Sequence, residues 1–270
     1  MPIEVEARIQ VYDQEEFHAL DRLVMGVAFE VHSEFGRLLD EDLYKSELAI
    51  RCASNGLQPA EREVRIRVSH NGFSKDYFMD LLIARGFMLE GKVAERLSAA
   101  HRSQSLNYLL LTGMRHGRLV NFRSERVEYE FVSTTLTPEE RRRFLVVERE
   151  WVEMNAESGQ LKAKTVELLE DWGAFLDVNL YREALVHFLG GAGSVCREVD
   201  LFSGSRRVGG QTLSLLNEDT GFAVTMKHED IGAMRDHLNR LLQHTRLRSL
   251  QWVNLNRHQV EFTTLSKTKA

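Results

Sequence analysis

Apolar residues recur at helical spacing in the first part of the chain. Between residues 13 and 35 they stand mostly three or four residues apart, at Phe17, Leu20, Leu23, Val24, Val27, Ala28 and Val31. This spacing predicts an amphipathic helix, and Gly36 is well placed to end it, since glycine tolerates the backbone conformation of a helix terminus. A second helix is expected over about residues 40–54 and a third over about 98–112.

Alternation of apolar and polar residues predicts strands between and after these helices. Val64, Ile66 and Val68 alternate with polar residues, as in a strand that buries one face. Further strands are expected over residues 77–83, 87–92, 119–122 and 127–131. A tight turn at Ala84-Arg85-Gly86 would join the first two of these. The resulting order, two helices, three strands, a helix and two strands, indicates a mixed α/β or α+β domain.

The chain also repeats itself. The segment FGRLLDEDLYKSEL from Phe35 is similar to WGAFLDVNLYREAL from Trp172, which lies 137 residues later. Three more matched pairs follow in order at offsets of 133 to 135 residues: EREVRIRV with CREVDLFS, GFMLEGK with GFAVTMK, and VNFRSERVEYEF with VNLNRHQVEF. Such ordered matches predict two copies of one fold, over about residues 1–137 and 138–270. A helix that starts at Thr137-Pro138 and runs to about residue 158 is expected to link them.

Composition limits the classes of protein that fit. Hydrophobic residues make up 43% of the 270 residues, which is enough to build a core. The formal net charge of -5 means that any nucleic-acid-binding surface must be local. The N-terminus lacks the apolar run of a signal peptide, and no stretch approaches the ~18 apolar residues of a membrane span. With Cys52 and Cys196 interpreted as free thiols, we expect a soluble, cytoplasmic protein without a membrane partner.

The hairpin over residues 77–92 carries the candidate chemistry. Antiparallel pairing about a turn centred on Arg85 places Asp80 opposite Glu90, and Lys92 shares the strand face of Glu90. Two close carboxylates repel each other, and a divalent cation that accepts oxygen ligands, Mg²⁺ or Mn²⁺, relieves the repulsion. A nearby lysine can then position an attacking water. Spacing alone favours the other interpretation, a solvated strand face with charges that happen to alternate.

Longer matches extend beyond this hairpin. They comprise VAFEVHSEFG, LDEDLY, MDLL around Asp80, Glu90-Gly91-Lys92, the helix HRSQSLNYLLLTG and LVNF. With these pieces, residues 15–135 resemble the GxxExxY family, a branch of the PD-(D/E)XK nuclease superfamily. The family's name motif would place a second glycine at position 38, where this chain has Leu38. Gln104 and Tyr108 also resemble the QxxxY element of RecB-type members.

The resemblance implies a restriction-endonuclease-like core and a role for each matched residue. It assigns a divalent metal to the positions Glu41, Asp80, Glu90 and Gly91. Lys92 is expected to orient the attacking water. Gln104 and Tyr108 are expected to steer the substrate or brace the site, although both could simply pack and hydrogen-bond. His101, on the same helix face, could equally be a polar residue of the helix start. The implied catalytic set is Glu41, Asp80, Glu90, Lys92, Gln104 and Tyr108.

The second copy has lost the acids. With GFAVTMK aligned on GFMLEGK, the residues at the positions of Glu41, Asp80, Glu90 and Lys92 are Val178, Leu215, Thr225 and Lys227. This copy is therefore expected to be a pseudo-domain that holds no metal. Its last helix and strands are rich in arginine and histidine, and nucleic-acid contacts are expected from Arg240, Arg246 and Arg248. An ordinary solvated helix with a charge bias would look the same.

The expected function is that of a metal-dependent nuclease that hydrolyses phosphodiester bonds, with DNA as substrate and an inactive second copy that aids binding. All the acids of the family site are present in the first copy, which favours catalysis. One alternative is a protein that keeps the fold but only binds nucleic acid. Another is a structural subunit whose pseudo-domain docks a partner protein. The chain could also form a homo-oligomer.

Overall fold

The computed structural model describes residues 2–267. Within them the chain divides into two compact units, the first running up to Ser69 and from Ser74 to Pro138, the second comprising His70–Phe73 and the residues from Glu139 onward. Each unit contains a six-stranded mixed sheet in this described part of the chain, so the expected mixed α/β class is confirmed. No described helix has the length and apolarity needed to cross a bilayer.

The first unit has the strand order β1-β2-β3-β4-β5-β6. Its strands are β1 (Ile3–Val5), β2 (Ala60–His70), β3 (Phe73–Ile83), β4 (Phe87–Lys92), β5 (His116–Asn121) and β6 (Glu128–Ser133). Its helices are α1 (Gln14–Phe35), α2 (Glu41–Ser54) and α3 (Ala99–Thr112). Strands β4 and β5 are parallel, whereas β3 with β4 and β5 with β6 are antiparallel. The helices and strands expected here are confirmed, and only the short β1 was not predicted.

Helices α1 and α2 pack on one face of this sheet. Their buried side chains, such as Phe17 and Leu48, form one core with Leu81, Ile83 and Leu89 of the hairpin. The inward orientation expected for these three hairpin residues is therefore confirmed. A capping box fixes the start of α1, and Gly36 ends the helix with a positive φ of 70°.

The second unit has the strand order β7-β12-β11-β10-β9-β8. Its strands are β7 (Leu145–Glu150), β8 (Cys196–Ser203), β9 (Arg206–Leu215), β10 (Thr220–Thr225), β11 (Ser249–Asn256) and β12 (Gln259–Ser266). Its helices are α4 (Pro138–Arg141), α5 (Ala156–Trp172), α6 (Val178–Phe188), α7 (Ala192–Val195) and α8 (Ile231–Gln243). The parallel pair β10 and β11 lies between antiparallel neighbours, as β4 and β5 do in the first unit.

The long linker helix expected from Pro138 to about residue 158 is wrong. Only Pro138–Arg141 is helical, and Leu145–Glu150 forms strand β7, which pairs in parallel with β12. The run Leu-Val-Val favours a strand, and an open sheet edge supplies the backbone partners that a helix would otherwise provide internally. The next helix, α5, begins after Asn155, whose side chain accepts from the backbone N–H of Ser158.

Matched positions of the two units share local contacts. Gly36 and Gly173 both follow a long helix with positive φ, 70° and 81°. The Tyr44 hydroxyl donates to the Gly36 carbonyl at 2.5 Å, and the Tyr181 hydroxyl donates to the Gly173 carbonyl. Two six-stranded sheets within residues 2–267, each with a central parallel pair, are consistent with a tandem duplication.

Candidate functional site

The hairpin of β3 and β4 brings two acids together. Its ladder pairs Leu81 with Leu89 and Ile83 with Phe87, which is the register expected from a turn centred on Arg85. The ladder ends at Leu81, and the Asp80 carboxylate then reaches across to β4, where Oδ2 accepts from the backbone N–H of Gly91 at 2.9 Å.

The side chains of this site are withdrawn from solvent. Asp80 is 6% exposed and Glu90 is 0% exposed. Lys92 Nζ lies 2.8 Å from Glu90 Oε1 and 3.8 Å from Asp80 Oδ2. The structure therefore brings Asp80, Glu90 and Lys92 together in one cluster.

A second lysine, Lys45 of α2, belongs to the same cluster. Its ammonium lies 3.0 Å from Asp80 Oδ1, 3.0 Å from Glu63 Oε1 and 3.6 Å from Glu41 Oε1. Burial alone would lower the pKa of Lys45, but hydrogen bonds to Asp80 and Glu63 raise it above the usual value. Neither Lys45 nor Glu63 was predicted from the sequence. The sequence does contain a signal for Lys45, because it stands four residues after Glu41 on one helix, where the two side chains can meet.

Glu41 is joined to the end of β4 through the backbone. It is the first residue of α2, after the helix-start residue Asp40, and its Oε2 accepts from the backbone N–H of Val93 at 3.3 Å. A carboxylate at a helix N-terminus is favoured by the orientation of the peptide dipoles. The helix therefore places Glu41 on Lys45, the lysine that also contacts Asp80.

Glu90 has the most perturbed environment of these acids. Burial, with a further contribution from the charge of Asp80, raises the pKa of Glu90 to about 8, against the opposing effect of Lys92. Its Oε1 accepts from Lys92, whereas its buried Oε2 has no hydrogen-bond partner among the described residues. A buried oxygen of this kind is costly unless something pairs with it. It therefore marks a position where a cation would be stabilised.

Gln104 and Tyr108 form a pair on α3. Gln104 Nε2 donates to the Tyr108 hydroxyl at 2.9 Å, and Tyr108 is buried. Burial and the nearby charge of Glu90 raise the pKa of Tyr108, so its phenol stays protonated. His101 instead completes a capping box with Ser98 at the start of α3, in keeping with the alternative of a polar residue of the helix start.

The acids do not form a preformed metal cage. Within residues 2–267 no group of three or more His, Cys, Asp or Glu side chains has the arrangement of a metal site. Lys45 and Lys92 stand among the acids and neutralise part of their charge. What the cluster offers is a set of oxygen donors with ammonium groups between them.

Two asparagines that make matching hydrogen bonds identify the residues of the second unit that correspond to the site residues of the first. The Asn121 side chain brackets residue 94, accepting from the Ala94 N–H at 3.1 Å and donating to its carbonyl at 2.8 Å. Asn254 brackets Lys227 in the same way, at 2.9 Å and 2.8 Å. Asn254 therefore corresponds to Asn121, and Lys227 corresponds to Ala94.

The expected alignment of GFAVTMK with GFMLEGK is thus wrong by two residues. Lys92 pairs with Asn121 across β4 and β5, and Thr225 pairs with Asn254 across β10 and β11. Thr225 rather than Lys227 therefore stands at the position of Lys92. By the same register Ala223, not Thr225, stands at the position of Glu90.

The equivalent of Asp80 shifts as well. Phe222 of β10 pairs with Ser214 of β9, as Leu89 pairs with Leu81 in the first unit. The residue before Ser214 is Leu213, which therefore takes the position of Asp80 in place of the expected Leu215. Leu213 and Ala223 both pack against an apolar cluster that contains Trp252. Apolar packing in the second unit thus takes the place of acids in the first.

The expected basic surface of the second unit is partly neutralised. Arg240, Arg246 and Arg248 are all exposed, but Arg248 Nε lies 3.3 Å from Asp219 Oδ2. Arg246 stacks over the Phe202 ring at 4.8 Å. The 235–258 segment contains one acid in sequence, yet folding brings acids from other segments to it.

Comparison with known families supports the first unit alone. Residues 18–132 match the family model of the PD-(D/E)XK nuclease superfamily. The match spans Glu41, Asp80, Glu90 and Lys92. It bears out the resemblance at the level of the superfamily and its fold. No curated protein and no solved structure gives a significant match to the chain.

Proposed function

We propose that the first unit is a metal-dependent nuclease of the GxxExxY type, which hydrolyses phosphodiester bonds of DNA. The observation that carries this proposal is the unpaired, buried Oε2 of Glu90 beside Asp80 and Lys92. A buried acid with a raised pKa and specific charged neighbours is typical of a functional site. The position of this oxygen, next to Asp80 and Lys92, supports the assignment.

The donor set fits a divalent cation. Carboxylate and carbonyl oxygens suit Mg²⁺ or Mn²⁺, and the candidates here are Glu90, Asp80, Glu41 and the backbone of Gly91. When bound, such an ion supplies positive charge at the phosphate and makes a nearby water more acidic. The partial neutralisation by Lys92 keeps the empty cluster tolerable in the fold.

The chain's own residues then have distinct tasks. Lys92 places a hydrogen-bond donor beside Glu90, where an attacking water has to be oriented. Gln104 holds the hydroxyl of Tyr108, and the protonated phenol braces the acids without adding charge. Glu41 links α2 to the end of β4, which keeps the acids at a constant separation.

We propose the second unit, about residues 138–270, as a pseudo-domain that binds the substrate without holding metal. Leu213 and Ala223 provide no ligand at the two acid positions. The exposed Arg240 and Arg246, and Arg248 in competition with Asp219, would contact phosphates. Arginine suits this task because its planar donors match phosphate oxygens.

A panel of labelled substrates tests the proposal. Single- and double-stranded DNA and RNA are incubated with the protein in Mg²⁺, in Mn²⁺ or in chelator. We expect cleavage of DNA that requires the metal and stops in chelator. Binding of nucleic acid without cleavage in either metal would instead support a protein that keeps the fold and only binds, an alternative favoured by the lysines that stand among the acids.

A further inference from the structure

We propose that Lys45 takes the place of a second cation, so that the site binds one divalent ion and not two. This inference rests on the proposed function, because it concerns the same cluster. It assigns Lys45 as a positioning residue, which fixes how many ions the acids can accept.

The surroundings of Lys45 are those of a bound cation. Its ammonium contacts carboxylates from three separate elements: Glu41 of α2 at 3.6 Å, Glu63 of β2 at 3.0 Å and Asp80 of β3 at 3.0 Å. The Lys45 side chain is 9% exposed. A buried ammonium with several acid neighbours supplies the charge compensation that a metal would otherwise provide.

The backbone is shaped around this lysine. A Cβ added at Gly91 would lie only 3.3 Å from Lys45 Cγ, so the absence of a side chain there leaves room for the lysine stem. Glu63 has a φ of 51°, in the left-handed region that residues other than glycine rarely adopt. That strained residue is the one that directs a carboxylate to Lys45.

The ion expected in the site has a different position. Glu90 is the acid that has a buried oxygen without a partner, and the contacts of Lys45 are to the other acids. Lys45 and the divalent ion would therefore share Asp80 and Glu41, whereas Glu90 would serve the ion and Glu63 serves Lys45. A single ion beside Glu90 does not require Lys45 to leave.

The charge balance of the cluster also indicates a single divalent ion. With Glu90 ionised, as a bound cation would make it, the cluster of described residues holds four carboxylates and two ammonium groups, which leaves two negative charges. One divalent ion would neutralise them. A second would leave two uncompensated positive charges beside the buried Asp80 and Glu90, which is disfavoured.

The second unit retains a cation at the matched position. Arg182 stands in YREAL where Lys45 stands in YKSEL, and its Nη2 donates to the Val224 carbonyl at 3.1 Å. Val224 occupies the position of Gly91 in the strand register. Arg182 Nη1 also donates to Asn179 Oδ1 at 3.1 Å. These two partners are a backbone carbonyl and a neutral amide, whereas Lys45 of the first unit contacts three carboxylates.

Counting bound Mn²⁺ tests the inference. Metal-free protein is titrated with Mn²⁺, and free and bound ion are measured by electron paramagnetic resonance and calorimetry. We expect one ion per native chain. In Lys45→Gln the cluster gains a negative charge, and we expect a second ion close enough to the first to couple magnetically with it.

Lys162→Gln is the matched control, because Lys162 also pairs with two glutamates, Glu148 at 3.0 Å and Glu153 at 3.3 Å, but lies in the second unit. It should still bind one ion. Two ions in the native protein would overturn the inference, and so would a single ion in folded Lys45→Gln. Either result would leave the proposed nuclease function intact. No bound Mn²⁺ in the native protein would overturn the proposed function itself. If Lys45→Gln does not fold, the native count alone decides.

Discussion

Glu90 is the residue on which the proposed chemistry depends most. It is fully buried, its pKa is raised to about 8, and one of its oxygens has no partner in the described chain. Burying a carboxylate in this way costs free energy that Lys92 only partly offsets. A divalent ion would recover that cost, so the acid is best explained by a ligand that the protein binds.

Gly91 should be intolerant of a side chain. In Gly91→Ala the new Cβ would lie 3.3 Å from Lys45 Cγ, so the Lys45 stem has to give by a few tenths of an ångström. We expect a loss of roughly 1 kcal/mol in the free energy of unfolding, typical of mild overpacking. Urea unfolding measures this loss. Unchanged stability would contradict the close packing of Lys45 on this strand.

Gly26→Ala is the control for that substitution. Gly26 lies inside α1, and an added Cβ would meet nothing within 4 Å. Because alanine loses less conformational freedom than glycine on forming a helix, this variant should gain about 0.5–1 kcal/mol of stability. Its Mn²⁺ affinity should remain that of the native protein.

The two cysteines should differ in reactivity. Burial raises the pKa of the Cys52 thiol to about 11, and the side chain is fully buried, so little thiolate is present or accessible at pH 8. We expect a thiol reagent to label Cys196 in the native protein well before Cys52. Labelling of both within the same time in native protein, rather than only in urea, would show that Cys52 is accessible.

At the scale of elements, the first unit was largely predictable. Apolar spacing located α1 and α2, and the strand periodicity placed Leu81, Ile83 and Leu89 in the core. The linker helix failed because helix-start signals at Pro138 are local, whereas β7 exists through pairing with β12, which is more than a hundred residues away. Pairing between distant strands leaves no trace in a short window of sequence.

The site was predictable to the same extent. Asp80, Glu90 and Lys92 followed from the hairpin register, and Glu41 from the resemblance. Glu63 could not be found, because its contact with Lys45 depends on a positive φ of 51° that a glutamate does not signal. The alignment of GFAVTMK with GFMLEGK relied on identical letters and was wrong by two residues. The correct register is set by the hydrogen bonds of Asn254 to Lys227, which are tertiary contacts that the sequence does not reveal.

The bracketing asparagines should be local structural anchors. Asn121→Ala removes two hydrogen bonds that hold residue 94 to the end of β5, and leaves partly buried backbone groups without these partners. We expect about 1–3 kcal/mol of destabilisation and faster amide hydrogen exchange in β4 and β5. Asn254→Ala is the matched variant, with the effect confined to β10 and β11. If either variant accelerates exchange equally in β4 and β5 and in β10 and β11, the local anchoring role of the two asparagines is contradicted.

At the scale of the whole molecule, the two units share one local contact and differ at the positions of the acids. Tyr44 and Tyr181 make the same hydrogen bond to a helix-ending glycine, while acids in the first unit correspond to Leu213 and Ala223 in the second. Apolar replacements at these positions stabilise the second unit, because they avoid the cost of buried charge. This difference supports our proposal of one catalytic unit and one supporting unit.

The supporting role predicts a salt-dependent contribution from the second unit. Reversing Arg240, Arg246 and Arg248 to Glu should leave thermal stability nearly unchanged, since exposed charges contribute little to it. DNA binding should weaken severalfold and depend less steeply on salt, because phosphate contacts release counterions. Fluorescence anisotropy at several salt concentrations measures both. Unchanged binding and salt slope would mean that these arginines are only a solvated surface.

Cleavage by Glu90→Gln compared with the native protein tests the central claim most directly. The substitution keeps the shape of the side chain and removes the carboxylate. The control is Glu130→Gln, which removes an acid of β6 that pairs with Arg102 of α3 and lies two strands from β4. With labelled DNA and Mn²⁺, we expect cleavage by the native protein and by Glu130→Gln, and loss of at least a hundredfold in Glu90→Gln. Metal-dependent cleavage that persists in Glu90→Gln would contradict the proposed site.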